Sequence, residues 1–153
     1  MTSLFRTNSE NKDFRKLVFE LDKDLSIRNG ESNDFFVQFN KIDQLNNVVI
    51  AYVESSLAGC GAIKEFNNFT MEIKRMYVRK EMRRKGVAVD ILNNLENWAK
   101  ELGYKKCVLE TGAQMIEAIG LYRKNGFRII RNYGQYENIE SSICFEKDLI
   151  TTL

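Results

Sequence analysis

The apolar period of this chain changes once, sharply, at Val78, and that change restricts its fold more than any other feature. Upstream, Val48-Val-Ile-Ala-Tyr-Val53 is a β-branched run, and Leu57 to Phe66 and Thr70 to Val78 follow it. Glu54-Ser-Ser56 and Asn67-Asn68 are the turns between them. Such runs, separated by short turns, predict a meander of antiparallel strands. Gly59, Cys60, Gly61 and Ala62 are small enough to permit close packing or a bulge in the middle run. Downstream, a charged loop from Arg79 to Lys85 gives way to Gly86-Val-Ala88. Val87, Ile91, Leu95, Trp98, Ala99 and Leu102 then recur at the helical period until Gly103 closes the helix.

The flanks complete the pattern. Phe14, Leu17, Val18, Leu21 and Leu25 predict a first helix from Asn8 to Gly30, and Phe35, Phe36, Phe39 and Ile42 a shorter helix or helical turn from Asn33 to Leu45. Lys106 to Glu110 reads as a short buried strand, Met115 to Asn125 as a helix capped by Gly126, and Phe127 to Ile130 as a strand. A polar loop from Tyr133 to Ser142 leads into a final strand beginning at Ile143. No repeat or linker interrupts the 153 residues, so the expectation is one α+β domain over 1–153.

Chemistry is narrowed by what is missing. The sequence contains no histidine, which excludes a Ser-His-Asp triad, a Cys-His pair and any histidine metal site. Proton transfer must come from Glu, Asp, Tyr, Lys, Cys or backbone groups. Cys60, Cys107 and Cys144 lie far apart and predict buried, reduced thiols, with no activating base for a covalent mechanism. The residues after Met1 show no export-signal core and no apolar run reaches about 18 residues, so the expected location is cytoplasmic and no membrane partner is expected.

Positive charge is concentrated. Residues 72–86 hold seven of the 23 basic residues and two of the 21 acidic ones, leaving 16 basic against 19 acidic elsewhere. That imbalance predicts a local anionic ligand. Nucleic acid is not expected, because only Tyr77 is interleaved with those charges as a stacking platform. The first turn of a helix has unpaired N–H groups and the positive end of the helix dipole, and Gly86 would let an anion approach them. Walker and dinucleotide spacings are absent. A phosphate cradle and a merely solvated basic loop both remain open on these residues alone.

Arg83-x-x-Gly86-x-Ala88, after a strand ending in Val78, resembles the Q/R-x-x-G-x-G/A signature of the GNAT superfamily of N-acetyltransferases. Ala118-Ile-Gly-Leu-Tyr122-Arg-Lys-Asn-Gly-Phe127 resembles its second signature, A-x-x-L-Y-x-x-x-G-F, and the element order matches over nearly the whole chain. The resemblance implies a mixed, mostly antiparallel central sheet with helices on both faces and a splay between two parallel strands. It also implies acetyl-coenzyme A as cosubstrate, without a metal. The pyrophosphate would be held by the amides of Arg84, Lys85, Gly86, Val87 and Ala88, with charge from Arg83, Arg84 and Lys85. The backbones of Met76 and Val78 would hold the pantetheine arm, across from the strand Lys106 to Glu110.

The implied reaction is direct acetyl transfer to an amine of a small molecule or peptide. Glu72, fourteen residues before the motif glycine, matches the family's base position, although pairing with Lys74 or Arg75 accounts for it equally. Tyr122 matches the general acid that protonates the departing thiolate, and the reference pKa values of a phenol and a thiol are close enough for transfer with modest tuning. Met115 stands where many members have an asparagine, which removes one coenzyme A hydrogen bond. Trp98 is expected in the core, while Phe35, Phe36, Phe39 and the loop Asn132 to Tyr136 are candidates for the acceptor side. Glu137 and Glu140 hint at a cationic acceptor, or are simply solvated. The alternative is a non-catalytic acyl-coenzyme A sensor, and the family's frequent dimers leave a homodimer open.

Overall fold

The computed structural model describes residues 1–29 and 44–149. Seven strands form one sheet in these residues: β1 (Thr2–Thr7), β2 (Asn47–Val53), β3 (Ser56–Asn67), β4 (Thr70–Val78), β5 (Lys106–Gly112), β6 (Arg128–Ile130) and β7 (Ser142–Asp148). Their order is β1-β2-β3-β4-β5-β7-β6, antiparallel throughout except for the parallel pair β4–β5. Three helices pack on it: α1 (Lys12–Asn29), α2 (Val87–Glu101) and α3 (Ile116–Lys124).

The sheet is buried on both faces. Phe14, Leu17 and Val18 of α1 pack on Val48, Ile50, Cys60 and Ala62, whereas Ile91, Leu92 and Leu95 of α2 pack on Val49, Ala51, Ile63 and Ile73. The alternation of β2 therefore divides its side chains between two cores, as a strand with helices on either side requires. Trp98 packs against the α2 core, with the Arg6 guanidinium 4.7 Å from its ring centroid. All three cysteines are free and buried, as expected.

Boundaries differ from the sequence reading in ways local chemistry explains. α1 begins at Lys12, not Asn8, because the Asn11 carboxamide oxygen accepts from the N–H groups of Asp13 (2.8 Å) and Phe14 (3.1 Å). This is a side-chain N-cap. β1 lies in a segment given no element from sequence; Thr2-Ser-Leu-Phe-Arg-Thr7 is too polar and short to signal a strand, and sits on the sheet edge beside β2. The β2–β3 hairpin turns through Glu54 and Ser55 at φ 49° and 69°, the two left-handed residues of a type I′ turn. The expected helix from Asn33 to Leu45, with Phe35, Phe36 and Phe39, lies outside the described residues apart from Gln44 and Leu45, which are not helical.

Candidate active site at the strand splay

β4 and β5 pair at only three positions, Thr70 with Lys106, Met71 with Cys107 and Glu72 with Val108. Beyond Glu72 each strand keeps its outer neighbour: β4 stays with β3 as far as Val78 opposite Gly59, and β5 with β7 as far as Gly112 opposite Ser142. The gap between them is a cleft walled by Glu72 to Met76, Leu109 to Gly112, and Met115, Ala118 and Tyr122. Leu21 and Leu25 of α1 and Tyr136 of the loop between β6 and β7 also line it.

A bulge shapes the β4 wall. Cys60 opposes Tyr77 and Ala62 opposes Lys74, so Gly61 faces both Arg75 and Met76, and Arg75 takes φ 60°. A left-handed conformation costs a non-glycine residue about 1–2 kcal/mol, and the sheet enforces it here. The side-chain phase reverses across the bulge. Met71 and Ile73 precede it on the α2 face, and Met76 and Val78 follow it there, while Tyr77 turns to α1. A Cβ on Gly61 would lie 2.6 Å from Met76 Sδ and 2.8 Å from Leu95 Cδ1, so any larger residue there would force these side chains to shift. The Arg79 N–H donates to the Ala58 carbonyl of β3 at 2.8 Å. By strand alternation the N–H and C=O of Val78 and Met76 then point into the gap.

At the open end of β4 the chain makes a single 3-10 turn, Lys80–Met82, and reaches α2 through Gly86 at φ 79°. Nothing lies within 4 Å of where a Gly86 Cβ would stand, and no side chain caps the helix. The first N–H groups of α2 are thus presented outward. Arg84 and Lys85 are exposed beside them, and the Arg83 Nε donates to the Val78 carbonyl at 2.9 Å, fastening the loop to the strand. The basic cluster is less uniform than its sequence suggested. Arg75 pairs with Asp22 at 2.7 Å, Arg79 with Glu20 at 2.8 Å, and Lys74 Nζ lies 3.8 Å from Glu72. Arg75 and Arg79 thus tie α1 to β4 and to the loop that follows it, while Lys74 pairs within β4.

On the α1 side of the gap the chemistry is acidic. Glu72 is buried; it accepts a hydrogen bond from the Tyr133 hydroxyl at 2.6 Å, and its pairing partner is Lys74 and not Arg75. Glu110, at the end of the Cys107-Val-Leu run of β5, accepts from the Ser142 hydroxyl at 2.6 Å. Burial, with the nearby Glu72 carboxylate, pushes the Glu110 carboxyl up to about 7, against the lowering effect of Ser142 and Lys74. In the sequence Glu110 shows only as a lone carboxylate ending an otherwise apolar strand, too weak a signal to mark it as a site residue.

Tyr122 lines the cleft from α3, its ring packed 5.8 Å from both Phe127 and Phe145. Burial, and to a smaller degree Glu110, pushes its phenol well above the ordinary value. The expectation of a near match between phenol and thiol is therefore corrected: desolvation widens that gap. Tyr133 and Tyr136 are also raised by burial, with Glu72 and Glu110 contributing. Met115 lines the cleft, whereas Glu137 and Glu140 are exposed.

Comparison with known proteins agrees with this geometry. The Acetyltransferase (GNAT) family profile matches residues 10–127. The chain is 36% identical over 101 residues to the uncharacterized N-acetyltransferase YsnE of Bacillus subtilis, covering 65% of this chain and 67% of that one. It is 30% identical over 136 residues to an IAA acetyltransferase of Azospirillum brasilense, covering 88% and 89%. The fold is similar to that of a GNAT family acetyltransferase from Elizabethkingia anophelis with acetyl-CoA bound (TM-score 0.67, 19% identity, 96% of this chain and 97% of that one). A mixed sheet splayed at its one parallel pair, a glycine-opened helix beside the gap and a family match over most of the length lead to one conclusion: the chain belongs to the GNAT acetyltransferase family.

Proposed function

We propose that this protein transfers an acetyl group from acetyl-coenzyme A directly to an amine of a small molecule or peptide. The observation that carries the reading is the pairing of an outward-facing helix start with an acidic cleft in one splay. Acetyl-coenzyme A, when bound, supplies an activated thioester. The residues present fit it: the space over Gly86 admits a pyrophosphate against the amides of Arg84 to Ala88, with Arg83, Arg84 and Lys85 around it. The gap-facing backbone of Met76 and Val78 can hold an amide-bearing arm, and the Met76 amide can polarise a carbonyl at the bulge.

An ammonium cannot attack a thioester, so its proton must leave first. Glu72 and Glu110 flank the place where it would sit, and the proton passes to this pair of carboxylates. Tyr122 is the hydrogen-bond donor to the leaving sulfur and releases its proton only as thiolate charge develops there. Neither role requires a metal.

Calorimetric titration with acetyl-coenzyme A, on wild type and Gly86→Glu, tests the cofactor half. Thiol release over a panel of amines tests the other half. Binding by wild type alone, with thiol release on some amines, supports the reading. Binding without thiol release on any amine would identify an acyl-coenzyme A binding module instead.

A further inference from the structure

Arg75 has a side chain 1% exposed, and its ion pair accounts for only part of it. Nη1 donates to Asp22 Oδ1 at 2.7 Å, whereas Nε and Nη2 have no hydrogen-bond partner. These two nitrogens lie along one edge of the guanidinium. That edge receives a carboxylate side-on, through two parallel N–H···O bonds. Buried donors without acceptors are costly, and native proteins keep few of them. The backbone carrying this group is itself held in a left-handed bulge.

The location gives this unpartnered, solvent-excluded edge a meaning. Arg75 lines the cleft with Glu72 and Glu110, and Asp22 holds its guanidinium on the α1 side, where Leu21 and Leu25 also reach the cleft. One cationic fork and two carboxylates therefore share the acceptor side of the splay. Asp22, with its side chain 37% exposed, is solvated enough to orient the guanidinium without satisfying it.

Resting on the acetyl-transfer reading above, we propose that Arg75 anchors a carboxylate of the acceptor, which is therefore an amine that also bears a carboxyl group, such as an amino acid. The carboxylate lies on Nε and Nη2, and the ammonium turns toward Glu72 and Glu110.

The test compares L-amino acids with their α-amides as acceptors, using wild type, Arg75→Gln and Arg75→Lys. Wild type should prefer the free acids by about 10- to 100-fold in kcat/KM. Arg75→Gln should lose that preference while keeping its affinity for acetyl-coenzyme A, and Arg75→Lys should recover it only in part. Equal use of acids and amides by wild type would overturn the proposal, as would an equal loss on both in Arg75→Gln. An independent reading follows the Arg75 Nε–H resonance of 15N-arginine-labelled wild type during amino-acid titration. A downfield shift with amino acids and none with their amides supports the anchor, and no shift with either refutes it. If no amine is acetylated, the resonance still decides the carboxylate site while the transfer reading fails separately.

Discussion

The Tyr133 hydroxyl donates to the Glu72 carboxylate at 2.6 Å, joining the loop after β6 to the last residue of β4 that pairs with β5. Sixty-one positions separate the two in sequence. Tyr133 is held in turn by edge contacts with Phe66 (5.0 Å) and Tyr136 (5.8 Å), so the bond belongs to a packed aromatic wall. Tyr133→Phe keeps those rings and removes only the donor. A buried carboxylate oxygen then loses its partner, which should lower stability by about 1–3 kcal/mol. Denaturant unfolding measures this, and the variant's acceptor KM should rise while its affinity for acetyl-coenzyme A stays unchanged.

Glu110 predicts a pH dependence with a definite sign. Its folded carboxyl titrates near 7 against 4.5 for the ordinary group, so the folded chain retains a proton that the unfolded chain releases. Its contribution to stability is fully present below 4.5 and is lost as pH rises through about 7. Glu110→Gln, which does not titrate, should gain on wild type across that window by about 3 kcal/mol. Unfolding free energies at pH 4.5 and 8 give the difference directly. The same variant should abolish the rising limb of the acetyl-transfer rate near pH 7, and an unchanged limb would assign the proton to another group.

Gly86 is constrained by conformation and by the space above it. Gly86→Ala meets no atom within 4 Å but must adopt φ 79°, at a cost of about 1–2 kcal/mol. Gly86→Glu carries the same strain and adds a carboxylate over the helix start. Thermal unfolding should therefore rank the two variants alike, while acetyl-coenzyme A stabilises only the alanine form.

Tyr122→Phe retains the ring contacts with Phe127 and Phe145. Stability should change little, and the Kd for acetyl-coenzyme A should be within a factor of about two of wild type. A role in protonating the leaving sulfur predicts a fall in kcat of about 10²- to 10⁴-fold. A rate within threefold would remove Tyr122 from the chemistry.

Much of the architecture was determined locally. The strand runs before Val78, the glycine-opened helix after it and the tyrosine helix at Ile116–Lys124 all follow from short-range periodicity and turn residues. Both family signatures lie inside or beside such segments, so the family was legible as well. β1 was not, because an edge strand buries too little to impose alternation on Thr2-Ser-Leu-Phe-Arg-Thr7.

Other features arose only when distant segments met. Sequence presents Lys74, Arg75 and Arg79 as one basic cluster, yet Glu72, Asp22 and Glu20 each take one of them. Glu110 looks like the polar end of a strand until Tyr122, Glu72 and the β7 edge exclude water around it. Arg75 looks like any surface arginine until the bulge opposite Gly61 buries it against α1 with two donors unpartnered. Periodicity reports which face of an element is apolar. Desolvation and unmet hydrogen bonds depend on what lies across the gap, and only the packed sheet brings those groups together.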